Sequence, residues 1–148
     1  MKRLGIALMM MVMLLVGATS AMARDRVVSY EDLPAKAQTT INKHFHKKKI
    51  VLVKVDKGYR NDDFEVKFSD GSEVEFNAVG EWTDVKCRPG VPKGIIPQQI
   101  RDFLKRNGYT KHGVKVVEIS YDRKGYEVEL SNGKELSFSP RFRLLEVD

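Results

Sequence analysis

The chain has 148 residues, of which 42% are hydrophobic and 31% charged, with a formal net charge of +6 and a single cysteine. That length suits one domain, and the supply of apolar residues excludes an intrinsically disordered or collagen-like chain. A lone cysteine cannot form an internal disulfide, so a packed core has to supply the stability.

The first segment reads as an export leader. Lys2 and Arg3 precede an apolar run from Leu4 to Val16, and Ala21-Met22-Ala23 has the small-x-small pattern of a secretory cleavage site. Residues 1–23 are therefore expected to be removed, leaving residues 24–148 as one exported domain, periplasmic or secreted. The apolar run falls short of the roughly 20 residues of a membrane span and no later stretch is longer, so no stable membrane insertion is expected. Losing Lys2 and Arg3 lowers the net charge of +6 by two, and an excess that small points to solubility rather than to nucleic acid.

Next, Leu33, Ala37, Ile41 and Phe45 recur every four residues and mark the buried stripe of a helix, with Pro34 suited to its first turn. The run His44-Phe45-His46-Lys47-Lys48-Lys49 places cations where the helix dipole favours them. On a helix His44 and His46 would point about 200° apart, and no recognised metal-ligand spacing surrounds them, so no metal site is expected. A β-rich run, Ile50 to Val55, precedes FEVKFSDGSEVEF at residues 64–76, and a last strand carries Trp82 and Val85. Residues 87–94 are rich in turn formers and read as a connector. Cys87 at its start has no hydrolase motif around it and is expected to be a buried structural thiol. Gly90 and Gly94 lack the Lys-Ser/Thr ending of a phosphate loop.

The pattern then starts again. Ile96, Ile100 and Leu104 repeat the helical stripe after Pro97, Gly108 stands where that helix should stop, and Val114 to Tyr121 reads as a strand. YEVELSNGKELSF at residues 126–138 echoes the first hairpin, and Leu144 and Val147 echo Trp82 and Val85. The expected fold is therefore α+β, with two tandem repeats, residues 30–87 and 95–148, each one helix followed by about four antiparallel strands. A unit of about 55 residues is marginal alone, so the two are expected to share a core or one continuous sheet surface.

Turn chemistry sets the hairpin registers. A two-residue Asp70-Gly71 turn would put inward Phe68 opposite outward Glu73, whereas a three-residue Ser69-Asp70-Gly71 loop pairs Val66 with Val74 and Phe64 with Phe76. Ser131-Asn132-Gly133 likewise pairs Val128 with Leu136 and Tyr126 with Phe138. The exposed pairs are then Glu65–Glu75, Lys67–Glu73, Glu127–Ser137 and Glu129–Glu135. With Glu118, seven glutamates share that face with Lys54 and Lys67, so the open sheet face is expected to be acidic. The basic excess is expected on Arg24, Arg26, the 44–49 run, Arg101, Lys105 and Arg106.

An acidic open sheet can be a solvated exterior that discourages edge association, a docking surface for a basic partner, or a site for a hard divalent cation. Candidate binding residues are Glu65, Lys67, Glu73, Glu75, Glu127 and Glu129, with Trp82 as an anchor should it lie exposed beside them. No catalytic residue, cofactor or nucleic-acid site is expected. The leading reading is a non-enzymatic exported protein that binds a protein or peptide of the cell envelope through its open sheet face. The alternative is an envelope protein that senses a small ligand or a divalent cation.

The order Leu33-Pro34, Phe64-Glu65-Val66-x-Phe68-x-Asp70-Gly71, Val74-x-Phe76, Ile96-Pro97 and Tyr126-Glu127-Val128 resembles the bacterial PepSY-like, β-lactamase-inhibitor-like exported proteins over residues 30–148. The resemblance implies tandem helix-on-sheet modules whose sheets form one curved surface. It carries over no catalytic residues, and likeness to an inhibitor does not by itself imply inhibition. No loop dense in aromatic anchors of the kind a tight inhibitor uses is visible.

Overall fold

A computed structural model describes residues 25–58 and 61–148. The leader and Arg24 lie outside the described residues. Strand β1 (Asp25–Val27) and a 3-10 turn (Tyr30–Asp32) lead into helix α1 (Ala35–His44), followed by β2 (Ile50–Lys57), β3 (Asp62–Phe68), β4 (Glu73–Phe76) and β5 (Trp82–Lys86). Helix α2 (Gln98–Arg106) and a second 3-10 turn (Lys111–Gly113) precede β6 (Val116–Asp122), β7 (Gly125–Leu130), β8 (Glu135–Phe138) and β9 (Leu144–Val147). All nine strands form one antiparallel sheet in chain order. The class is α+β, with each helix followed by four strands.

Both helices lie on one side of this sheet because each carries a single apolar stripe. Leu33, Ala37, Ile41 and Phe45, with Ile96, Ile100 and Leu104, join the inward side chains of the strands in one buried cluster. Phe45 stacks on Phe68 with ring centroids 5.4 Å apart. Helix α2 ends as its sequence suggests: Gly108 takes a positive φ of 77°, its N–H meets the Lys105 carbonyl, and the Tyr109 N–H reaches back to the Leu104 carbonyl. Those paired bonds are a Schellman cap, which satisfies carbonyls the helix end would leave open. Cys87 points inward and is fully buried, and burial pushes its thiol pKa up.

The hairpin registers follow the three-residue loops. Val66 pairs with Val74 and Phe64 with Phe76; Val128 pairs with Leu136 and Tyr126 with Phe138. In the first loop the Phe68 N–H donates to the Ser72 carbonyl and Gly71 sits at φ 85°; in the second the Leu130 N–H donates to Lys134 and Gly133 sits at φ 87°. Only glycine adopts that left-handed position without steric cost, which is what holds the loop at three residues.

Four bulges interrupt the ladders. Register shifts fall between Ile50 and Leu52, Glu75 and Phe76, Val116 and Glu118, and Ser137 and Phe138, leaving Val51, Thr83, Val117 and Leu145 as the extra residues. Each falls on the first or last strand of its four-strand run. Strand β1 lies outside the two repeats expected from the sequence, the first of which begins at residue 30. Its backbone pairs Asp25–Asp56, Arg26–Val55 and Val27–Lys54, adding an edge strand outside the four that follow α1.

A candidate acidic interface on the open sheet face

The site is made by alternation. On β3, β4, β7 and β8 every second side chain enters the core, so the intervening residues share the opposite face. Across the sheet, the register joins Lys54, Glu65, Glu75, Asp84, Ser120, Glu127, Ser137 and Glu146 into one row. A second row joins Lys67, Glu73, Lys86, Glu118, Glu129 and Glu135. Asp25, Asp56 and Asp63 begin a third at the β1 end.

Glu65, Lys67, Glu73, Glu75, Glu127 and Glu129 thus stand on one surface. Asp84 and Lys86 join them without being among the residues expected from sequence, although their alternation about buried Val85 is the signal that could have found them. They close the gap between β4 and β6 and make the face continuous through the sheet's middle. Trp82 does not belong to it. The extra residue Thr83 reverses the strand's phase, so Trp82 pairs with fully buried Phe76 and packs half-buried against the core on the helix side.

Three lysines serve this face. Lys54 lies 3.2 Å from Glu65, Lys67 lies 3.4 Å from Glu65 and 3.3 Å from Glu73, and Lys86 lies 3.6 Å from Glu118. Glu75, Asp84, Glu127, Glu129 and Glu135 form no ion pair with a described residue. The electrostatic consequences follow from that imbalance. Desolvation, then Glu118, pushes the Asp84 carboxyl up to about 7. Desolvation followed by Glu65 raises Glu75, and desolvation followed by Glu129 raises Glu135. Glu118 is raised by burial and by Glu129 against the pull of Lys86. Lys67 is held above its ordinary value by Glu65 and Glu73. A shallow groove of about 680 Å³ runs along these groups, with Glu65, Glu73, Glu118 and Glu129 and the cations Lys67, Lys86 and Arg88 in its wall.

Cations gather on the other layer. The end of α1 lines a hollow of about 490 Å³ from His44 to Lys49, where Lys48 pairs with Asp70. That ion pair, with the Ser72 N–H, holds the Asp70 carboxyl down at about 2. His44 is lowered by burial and then by Lys43. Among the described residues no three His, Cys, Asp or Glu side chains converge to hold a metal ion.

Such a molecule belongs to the α+β proteins that back one antiparallel sheet with helices and leave its other face open. The family model described as "Putative beta-lactamase-inhibitor-like, PepSY-like" matches residues 20–63 and 62–146, and the chain belongs to this PepSY-like family. The two matched segments meet within β3 rather than at the 87–94 connector. Three solved structures are similar throughout. A "putative periplasmic protein" of the DUF2874 family from Bacteroides vulgatus is 32% identical with a TM-score of 0.81, covering 87% of this chain and 99% of its own. A "putative calcium-regulated periplasmic protein" from Bacteroides thetaiotaomicron is 37% identical with a TM-score of 0.79, covering 84% and 96%. A "putative periplasmic protein of unknown function" from Bacteroides vulgatus is 37% identical with a TM-score of 0.76, covering 84% and 98%. No curated protein matches the chain. Among the described residues no helix is long and apolar enough to cross a membrane.

Proposed function

We propose that this is an exported, non-enzymatic binding protein of the cell envelope, which docks a basic protein or peptide on its acidic sheet face. The observation that carries the reading is the pair of carboxylate rows crossing β5 and β6, served by three lysines and leaving Glu75, Asp84, Glu127 and Glu129 unpaired among the described residues. Like-charged neighbours weaken a sheet, and a cationic partner would relieve that repulsion while gaining speed of encounter from the field. The mature chain in this reading begins after about Ala23 in the periplasm. It is built as two tandem units, 30–87 and 95–148, joined by residues 87–94; the matching bulges and loops of the two four-strand runs support that duplication.

Titration with poly-L-lysine tests the reading: saturable, salt-sensitive binding is expected, and Glu65→Lys with Glu129→Lys should weaken it at least about tenfold. Equal binding by the charge-reversed protein rejects it.

A second reading, calcium sensing, is favoured by the solved structure described as calcium-regulated and by the facing pairs Glu65–Glu75 and Glu129–Glu135. One such pair supplies fewer oxygens than the roughly six to eight that calcium takes, so the ion would need both a shift of these side chains and water. A rise in melting temperature with calcium, lost in Glu65→Gln with Glu75→Gln, supports it; an unmoved melting temperature counts against it.

A further inference from the structure

We propose that the helix-side end of the sheet carries a second binding surface, for an acidic polypeptide segment, formed by Trp82, Tyr121, Tyr126 and Phe142 with Arg123, Arg141 and Arg143. It is separate from the acidic face, because Tyr126 pairs with core Phe138 and Trp82 with core Phe76, which point to the other side of the sheet.

Four chain segments assemble the aromatic stack. Tyr121 and Tyr126 oppose one another across β6 and β7 with ring centroids 4.6 Å apart and planes 29° apart. Phe142 lies 5.3 Å from Tyr126 at 23°, and Trp82 meets Tyr121 edge-on at 6.5 Å. Tyr121 remains 39% exposed, while the nearest α2 ring, Phe103, is engaged with Phe138 and Tyr109.

Phe142 occupies an expensive conformation. Its φ is 64°, the left-handed region, in a loop where the Ser139 N–H donates to Arg143 and the Phe142 N–H to Ser139. The β4–β5 loop makes the same two bonds, from Asn77 to Glu81 and from Gly80 to Asn77, with glycine at the equivalent position at φ 86°. A bulky residue there costs on the order of 1–3 kcal/mol, the kind of strain that collects at binding sites. What the ring obtains in return is its place on the stack.

The geometry selects the partner's chemistry. Tyr126 stacks with both Tyr121 and Phe142, which leaves its ring edge as the part free for a partner. Edges carry the positive side of the aromatic quadrupole. A carboxylate suits such an edge. Around the stack, Arg123 stands in the tight turn between Asp122 and Gly125, and Arg141 and Arg143 flank Phe142. All three are exposed and form no ion pair with a described residue. Guanidinium forks match carboxylates, and Trp, Tyr and Arg are the side chains that most often dominate binding energy at protein interfaces.

Trp82 is the sole tryptophan, so its fluorescence reports on this surface directly. Titration of the purified protein with poly-L-glutamate at low salt is expected to give a saturable change in Trp82 emission. Arg141→Glu with Arg143→Glu should weaken the affinity by about tenfold or more, while the same charge change at Lys105 and Arg106 leaves it unchanged. Phe142→Gly keeps the left-handed loop and removes the ring; it is expected to lose a similar factor with an unaltered circular dichroism spectrum. A silent Trp82, or equal loss from the Lys105 and Arg106 control, overturns the proposal. So does tighter binding to phosphatidylglycerol vesicles than to poly-L-glutamate, which would assign the patch to a membrane surface.

Discussion

Asp84 sits between Glu75 on β4 and Ser120 on β6, with Glu118 and Lys86 beside it, and no lysine pairs with it. Its raised carboxyl binds a proton more tightly in the folded protein than in the unfolded chain. Folding stability from this group is therefore gained as pH falls from about 7 toward the ordinary carboxylate range, and lost as pH rises through that window. Asp84→Asn is expected to raise the melting temperature at about pH 8 and to flatten its decline between about pH 5 and 8, an effect on the order of 2 kcal/mol across the window. Thermal melts across that range check it; a variant as pH-sensitive as the parent would contradict it. Gly80 is the opposite case, a residue with no charge and no freedom to change. A Cβ there would lie 2.8 Å from the Ala37 nitrogen and 2.9 Å from the Pro34 Cβ, at φ 86°. Gly80→Ala is expected to cost at least about 2 kcal/mol, read from the urea midpoint, because overpacking and left-handed strain add.

At the scale of elements, each hairpin satisfies its core-side pairs and leaves one of its solvent-side pairs in conflict. Glu65 faces Glu75 and Glu129 faces Glu135, and β5 adds Asp84 beyond Glu75. Glu75→Lys turns two repulsive contacts into attractive ones without touching the buried side. It is expected to stabilise the protein by about 0.5–1 kcal/mol. Denaturant unfolding measures this, and a destabilised variant would mean that Glu75 has a favourable role the register does not show. The hairpins are largely readable from sequence, since a glycine-containing three-residue loop and alternating side chains determine register between adjacent segments. The bulge at Thr83 is less readable: a phase shift between Trp82 and Val85 is visible in sequence, but the side to which it sends Trp82 depends on pairing with Phe76.

For the molecule as a whole, one layer is acidic and the other carries the helices with their cations. Repulsion between carboxylates on neighbouring strands of this face is screened appreciably only as the Debye length shrinks from about 10 Å at 0.1 M toward about 3 Å at 1 M. Raising ionic strength from about 0.02 to 0.5 M is expected to raise the melting temperature, and the rise should shrink in Glu75→Lys. A fall with salt would show that the ion pairs of Lys54, Lys67 and Lys86 outweigh the repulsion. The open face and the cationic aromatic patch suit partners of opposite sign, so one chain could join two different molecules.

Features that depend on neighbours along the chain are legible in the sequence. The stripe of Leu33, Ala37, Ile41 and Phe45, the Gly108 helix stop, the two hairpin registers and the six candidate residues of the sheet face follow from periodicity and turn chemistry. Only the tertiary structure decided that β5 pairs with β6, which puts Asp84 and Lys86 in the middle of the acidic surface. It also decided that Trp82, Tyr121, Tyr126 and Phe142, far apart in sequence, share one stack. The physical reason is the same in both cases: such contacts form because two marginal apolar faces must be buried in a common core. That requirement joins distant strands without leaving a local signature in any of them.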